Sequence, residues 1–197
     1  VLRRIPWRSV RPRGTQVSLL GYFFDRYEGD HAGNLQQIST ALKALGLTMG
    51  PTVLAGSSFR ECMDAAHSGV LVQLPYLGPV ASELESFLAD QGRATVKTDL
   101  PMGISGTSRW LRQVGDAAHV PSARVEEYIS GREAKVRAPL EKMHSRFRGR
   151  AMAVFAEPPL AAGLCTILSE LSFQPALVGL RGTTLGGAAA FRDTLAR

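Results

Sequence analysis

The sequence is short of cysteine. Cys62 and Cys165 are the two in 197 residues, far apart and without a C-x-x-C pair. That excludes a disulfide framework and an all-cysteine zinc site. The four histidines, His31, His67, His119 and His144, show no metal-ligand spacing. Buried free thiols are expected, and no metal is assigned to any residue. Long apolar runs are also missing. None reaches the roughly 20 residues that cross a bilayer, so no membrane helix is expected. The first residues, Val-Leu-Arg-Arg-Ile-Pro-Trp-Arg, lack the apolar core of a signal peptide. These traits together read as cytoplasmic. The chain opens on Val1 and reads as a cut into a longer chain. No G-x-G-x-x-G follows the first predicted strand. Gly182 and Gly186-Gly187 come late, with no ribose-binding acid in place. No Walker A, nucleophile elbow or zinc signature occurs, so no complete catalytic set can be read from motifs.

Charge is of one sign in excess. The net charge is +6, with Arg3, Arg4, Arg8, Arg11 and Arg13 at the start and Arg146, Arg148 and Arg150 further on. They lack the aromatic interleaving of the kind seen on single-strand binding platforms. Nucleic acid is therefore not the expected partner. Residues 1–15 read as a basic, extended arm that is solvated or covered by a partner.

What is present is alternation. Val17–Phe24 is a continuous apolar run, as in a strand buried on both faces. A charged loop follows, and Leu35, Ile38, Leu42 and Leu45 mark a helix that stops at Gly46. Leu47–Leu54 is a second strand, with Pro51 placing it near its start or at an edge. Ser57 or Ser58 caps a short helix, and Gly69–Leu74 is a third strand. A helix over 79–90 and a short strand over 94–97 complete the series. The fold class is α/β, with an open parallel sheet and helices on both faces. Residues 16–119 form this domain, 120–148 a long bridging helix, and 149–197 the start of a second α/β unit. That second unit holds two strands, Ala151–Ala156 and Ala176–Leu180, too few to bury both faces of a sheet. It reads as truncated or completed from elsewhere.

Open parallel sheets bind ligands beyond the carboxyl ends of their strands. Tyr76, with Pro75, lies at the end of the third strand, and Gly103, Ser105, Gly106 and Thr107 follow the fourth. These are the candidate substrate-binding residues. Asp25, Asp30 and His31, with Glu28, follow the first strand and are candidate proton donors. A packing role for Tyr76 and a solvated loop for the acids stand beside these readings. Ser105 or Thr107 would cap the helix opened by this stretch. Its free N–H groups would suit an anionic group, and Gly103 and Gly106 would line a cleft or a partner contact.

The order of parts resembles a known family. Leu20-Gly21, Ala44-Leu45-Gly46-Leu47, Ser57-Ser58-Phe59 and Val70-Leu71-Val72-Gln73 stand in sequence. Then come Pro101-Met102-Gly103-Ile104-Ser105-Gly106-Thr107-Ser108-Arg109-Trp110-Leu111 and a long helix leading to Gly149-Arg150. Over about residues 15–180 this is similar to the nitrogenase component 1-like oxidoreductases. Within them, the Pro101–Leu111 stretch looks most like the N-type subunits of light-independent protochlorophyllide reductase.

The resemblance implies Rossmann-like domains, a homologous or identical partner subunit, and an ATP-dependent reductase that supplies electrons. It also implies an iron–sulfur cluster held by cysteines of a domain absent from this sequence, so no cofactor is expected on these residues. In the nitrogenase catalytic subunit a cofactor-ligating cysteine follows the third strand. Here Gln73-Leu74-Pro75-Tyr76 stands there, without a thiol. The expected function is that of a piece of a nitrogenase-like oxidoreductase subunit. It would help form a substrate or cofactor cleft and a subunit interface for multi-electron reduction, with a tetrapyrrole as the implied substrate. The isolated piece is expected to be inactive. A non-redox small-molecule binding or cofactor-assembly scaffold module is the alternative. A sugar-nucleotide transferase fits the bridging helix but has no motif.

Overall fold

The computed structural model describes residues 2–21, 31–53, 57–77 and 80–182. In chain order these form β1 (Arg13–Leu20), α1 (His31–Ala44), β2 (Thr48–Val53), α2 (Phe59–Met63), β3 (Ser68–Gln73), α3 (Val80–Asp90), β4 (Thr95–Lys97), α4 (Gly103–Ala117), α5 (Ser122–Phe147), β5 (Ala151–Ala156), α6 (Pro158–Glu170) and β6 (Gln174–Leu180). Short 3-10 turns cover Leu2–Arg4, Asp64–His67 and Pro75–Leu77. Two compact units result. The first takes residues 1–98 and 112–125, the second 99–111 and 126–197. The division therefore passes through α4 and α5, whereas the sequence pattern places it at 149.

The first unit is a parallel sheet in the order β2-β1-β3-β4. Central β1 pairs with β3 through Val17↔Val70 and Leu19↔Val72, and Val17, Leu19, Val70 and Val72 are all buried. That is why both runs are apolar without alternation. Edge strand β2 carries Pro51, which cannot donate to a ladder. The β1–β2 register jumps there, from Val17↔Met49 to Leu19↔Thr52. α1 stops short of Gly46, whose φ of +81° closes the turn. The Arg124 guanidinium covers the helix's last carbonyl, donating from Nη2 to Ala44 O at 3.0 Å. α2 opens on a full capping box, with Ser58 and Glu61 each bonding the other's backbone N–H. The hydrogen bonds from Ser58 hold the Glu61 carboxyl below its usual range.

The start of the chain departs from the expected extended arm. Ile5 and Trp7 are buried in one core with Leu20, Leu71, Leu84 and Leu88. The Trp7 indole N–H donates to Leu2 O at 2.9 Å. Arg93, 7% exposed, donates from Nη2 to the carbonyls of Val10 at 2.5 Å and of Trp7. Burial pushes its pKa down. Five arginines dominate the composition of this stretch, yet the buried Ile5 and Trp7 among them, with Val10 packed against the same core, decide its packing. Arg13 already belongs to β1.

The second unit contains a two-stranded parallel sheet with β5 and β6 paired Val154↔Val178 and Ala156↔Leu180. These four pack on Ala161, Leu164, Cys165 and Leu168 of α6. Pro158 and Pro159 start α6, where missing N–H groups cost nothing. On the other side of the strands Phe155 is 73% and Leu177 55% exposed.

If the first residues are core and not arm, Trp7→Ala will lower stability by about 3 kcal/mol or more. Urea unfolding of the chain checks this. A change below about 0.5 kcal/mol would restore the solvated arm.

Candidate functional site

In the first unit the strand order reverses between β1 and β3, since β2 lies on one side of β1 and β3 on the other. This switch point is where open α/β sheets place a ligand. Its carboxyl edge is held by Leu74 N donating to Leu20 O and Gly21 N donating to Val53 O, each at 3.0 Å. Gly21 has a φ of +96°, and a Cβ there would stand 3.0 Å from Leu77 Cγ. The turn thus requires glycine.

Gln73 ends β3 at this edge and is 2% exposed. Its Nε2 donates to Thr95 Oγ1 at 2.8 Å. Its Oε1 is buried with no hydrogen-bond partner. Thr98, just past β4, donates its N–H to Gln73 O at 3.2 Å, and its own hydroxyl is buried without a partner. Leaving a buried acceptor unpaired costs about 1–3 kcal/mol, so these atoms mark the edge as unfinished. Sequence reasoning passed Gln73 over. The available signal was one polar residue closing the run Val70-Leu71-Val72 in a strand otherwise fit for burial on both faces.

Tyr76 sits half-buried in the 3-10 turn that follows β3. His31 opens α1. Asp25, Glu28 and Asp30 lie outside the described residues. Gly103, Ser105, Gly106 and Thr107 belong to the second unit.

There the opening of α4 is already engaged. The helix starts at Gly103, so Ser105 and Thr107 fall inside its first turns and do not stand before it as caps. The anion on its N-terminus is the protein's own. Glu170, last residue of α6, accepts from Ile104 N at Oε2 and from Ser105 N and Ser105 Oγ at Oε1, each at 2.7 Å. A carboxylate satisfies the orphan donors of a first turn and complements its partial positive charge. The Thr107 hydroxyl instead donates backward to Pro101 O at 3.1 Å, and Ser108 donates to Glu133 Oε1 at 2.9 Å. Glu170 was invisible to sequence reasoning because it lies 65 residues downstream of Ser105.

The two glycines of this stretch have different reasons. Gly103 has a φ of +70°, and a Cβ would stand 2.7 Å from Glu170 Oε2. At Gly106 a Cβ would meet only Leu100 O, at 3.5 Å.

The cysteines do not form a ligand set. Cys62 is buried in α2 and Cys165 in α6, where burial raises the thiol pKa. Among the described residues no three His, Cys, Asp or Glu side chains gather as metal ligands. These residues therefore do not fit an iron–sulfur cluster. No described helix is long and apolar enough to cross a membrane.

A parallel α/β sheet whose strand order reverses between β1 and β3 defines a Rossmann-like fold class. The family model for nitrogenase component 1 type oxidoreductases matches residues 2–188, and the chain belongs to that family. Among curated proteins it is similar to subunit N of light-independent protochlorophyllide reductase. The Rhodopseudomonas palustris BisB18 protein is 28% identical over 110 residues, covering 55% of this chain and 25% of that protein. The Synechococcus CC9605 protein is 25% identical over 132 residues, covering 66% and 31%. The matches thus span about a quarter to a third of those relatives, which are themselves subunits. In fold, a solved structure of nitrogenase Cp1 at pH 5 superposes with a TM-score of 0.70 at 12% identity, covering 93% of this chain and 39% of that one.

The geometry separates the two glycines. Gly103→Ala will cost about 1–2 kcal/mol, from left-handed backbone and the clash with Glu170. Gly106→Ala will be neutral or stabilising by up to about 1 kcal/mol, as alanine suits a helix interior. Thermal melts of both variants check this, and equal losses would contradict it.

Proposed function

We propose that this chain is part of a subunit of a nitrogenase-like reductase that holds an organic substrate, a tetrapyrrole, for ATP-driven multi-electron reduction. The carboxyl edge of β1 and β3 is the face it offers to substrate. One observation carries the reading: the buried, unpartnered Gln73 Oε1 at the switch point. The family's redox character and the relatives named protochlorophyllide reductase subunit N support the substrate class. Gln73 replaces metal ligation with hydrogen bonding at this edge, because a carboxamide is a good acceptor and a poor substitute for a soft thiolate. Tyr76, in the turn that follows β3, would offer a flat apolar ring to a planar macrocycle. Asp25, Asp30 and His31 follow β1 in sequence and are the proposed proton donors for the reduction. A homologous subunit would complete the site and an iron–sulfur cluster would be held outside these residues, with electrons arriving from an ATP-dependent reductase.

The full-length protein, assembled with its partner subunits, tests the reading with protochlorophyllide as the probe. Gln73→Leu will weaken binding about tenfold, the loss of one buried hydrogen bond. It will change the melting temperature little, because the unpaired acceptor disappears together with the Gln73–Thr95 hydrogen bond. Binding measured by the absorbance of the pigment will show it. Unchanged affinity in a stable variant would contradict the reading and favour a scaffold module without this substrate.

A further inference from the structure

Glu170 does more than cap a helix. Its carboxylate lies on the opening turn of α4, with three bonds of 2.7 Å. Its backbone carbonyl meets His144 Nε2, near the end of α5. The chain then turns through Ser172, whose φ of +63° is a strained conformation for a residue with a side chain. That turn is gripped from outside. Gly149 N donates to Ser172 O and Gln174 N to Arg150 O, each at 3.0 Å. The Phe147 and Phe173 rings stack at 4.8 Å. Strain of this kind persists only where neighbours over-determine it. On the facing side, Gly103 has no Cβ at the one place where a Cβ would strike the Glu170 carboxylate. Met102 folds onto Gly163 in the middle of α6, where a Cβ would stand 2.4 Å from its sulfur.

We infer that Glu170 is a positioning residue that clasps the opening turn of α4 to the end of α6, so that this turn and the β5–α6–β6 layer shift as one body. Glu170 makes a joint and not a ligand site. The seat that a ligand carboxylate would take is filled from within the chain. Whatever moves the layer therefore moves Gly103, Ser105, Gly106 and Thr107 with it. The inference rests on these contacts alone and stands whichever substrate the protein takes.

Hydrogen exchange of the full chain, read in peptides covering residues 102–106 and 171–176, tests it. Glu170→Ala will speed exchange at Ile104 and Ser105 about tenfold, since their acceptor is gone. It will also speed exchange in the 171–176 turn several-fold, because the joint is cut. Sodium acetate will slow exchange at Ile104 and Ser105 in that variant, as a free carboxylate takes the vacated seat. It will leave the 171–176 turn fast, since acetate is not tethered to α6. If Glu170→Ala fails to fold, Glu170→Gln carries the test, because its one carboxamide oxygen retains part of the bonding. There both segments will exchange faster than in the unaltered chain, by less than tenfold. Unaltered exchange at 171–176 in the folded variant would overturn the joint, as would full recovery of both segments by acetate.

Discussion

A helix whose first N–H groups face a carboxylate is fixed at its start in direction as well as stability. The Glu170 carboxylate does this for α4. Its two oxygens serve two consecutive backbone amides and one hydroxyl. That number of charge-assisted bonds leaves the carboxylate little freedom to wander. Because Glu170 is the last residue of α6, the contact also settles where α6 ends relative to α4. The glycine at 103 follows from it, as does the short hydroxyl contact at Ser105. The stretch with the densest motif content in the chain is thus built to receive a neighbour from its own unit.

The first unit depends on a different constraint, the central place of β1, paired to β2 on one side and β3 on the other. Much of it was legible. Val17–Leu20 and Val70–Val72 announce central strands because burial on both faces removes alternation. Ser57 or Ser58 announces a helix start because an N-cap is local, and the structure gives the role to Ser58 with Glu61 as its capping-box partner. Pro51 announces an edge because proline has no N–H to pair. The features that local sequence does not reveal are non-local or outvoted. Arg93 reaches back across 86 residues to Trp7 O, a contact no short window contains. The arginines of the first thirteen residues outnumber Ile5 and Trp7, but one buried indole outweighs several solvated guanidinia. Ser105 and Thr107 looked like caps because hydroxyls commonly are. The true cap lies 65 residues downstream, where sequence alone gives no reason to look.

For the candidate site the same rule holds. The edge was readable from the rule that open parallel sheets bind beyond the carboxyl ends of their strands, and Tyr76 could be placed there by counting from β3. Gln73 could not be singled out until its oxygen was seen buried and unanswered. The two observations have different weights. A residue at the end of a strand is only well placed, whereas an unpaired buried acceptor carries a free-energy cost that a bound donor would remove. The family supplies the redox setting. Gln73 and Tyr76 are the residues on which the proposed organic substrate would rest.

The account of the second unit rests on Glu170 and Ser105 acting as a pair. A double-mutant cycle isolates that pair. Unfolding free energies would be measured for the unaltered chain, Glu170→Ala, Ser105→Ala and the double variant. The account predicts a coupling of about 1 kcal/mol, the worth of one charge-assisted hydrogen bond at a partly exposed site. Additive effects, with coupling near zero, would contradict it and remove the Ser105 hydroxyl from the contact that holds the start of α4.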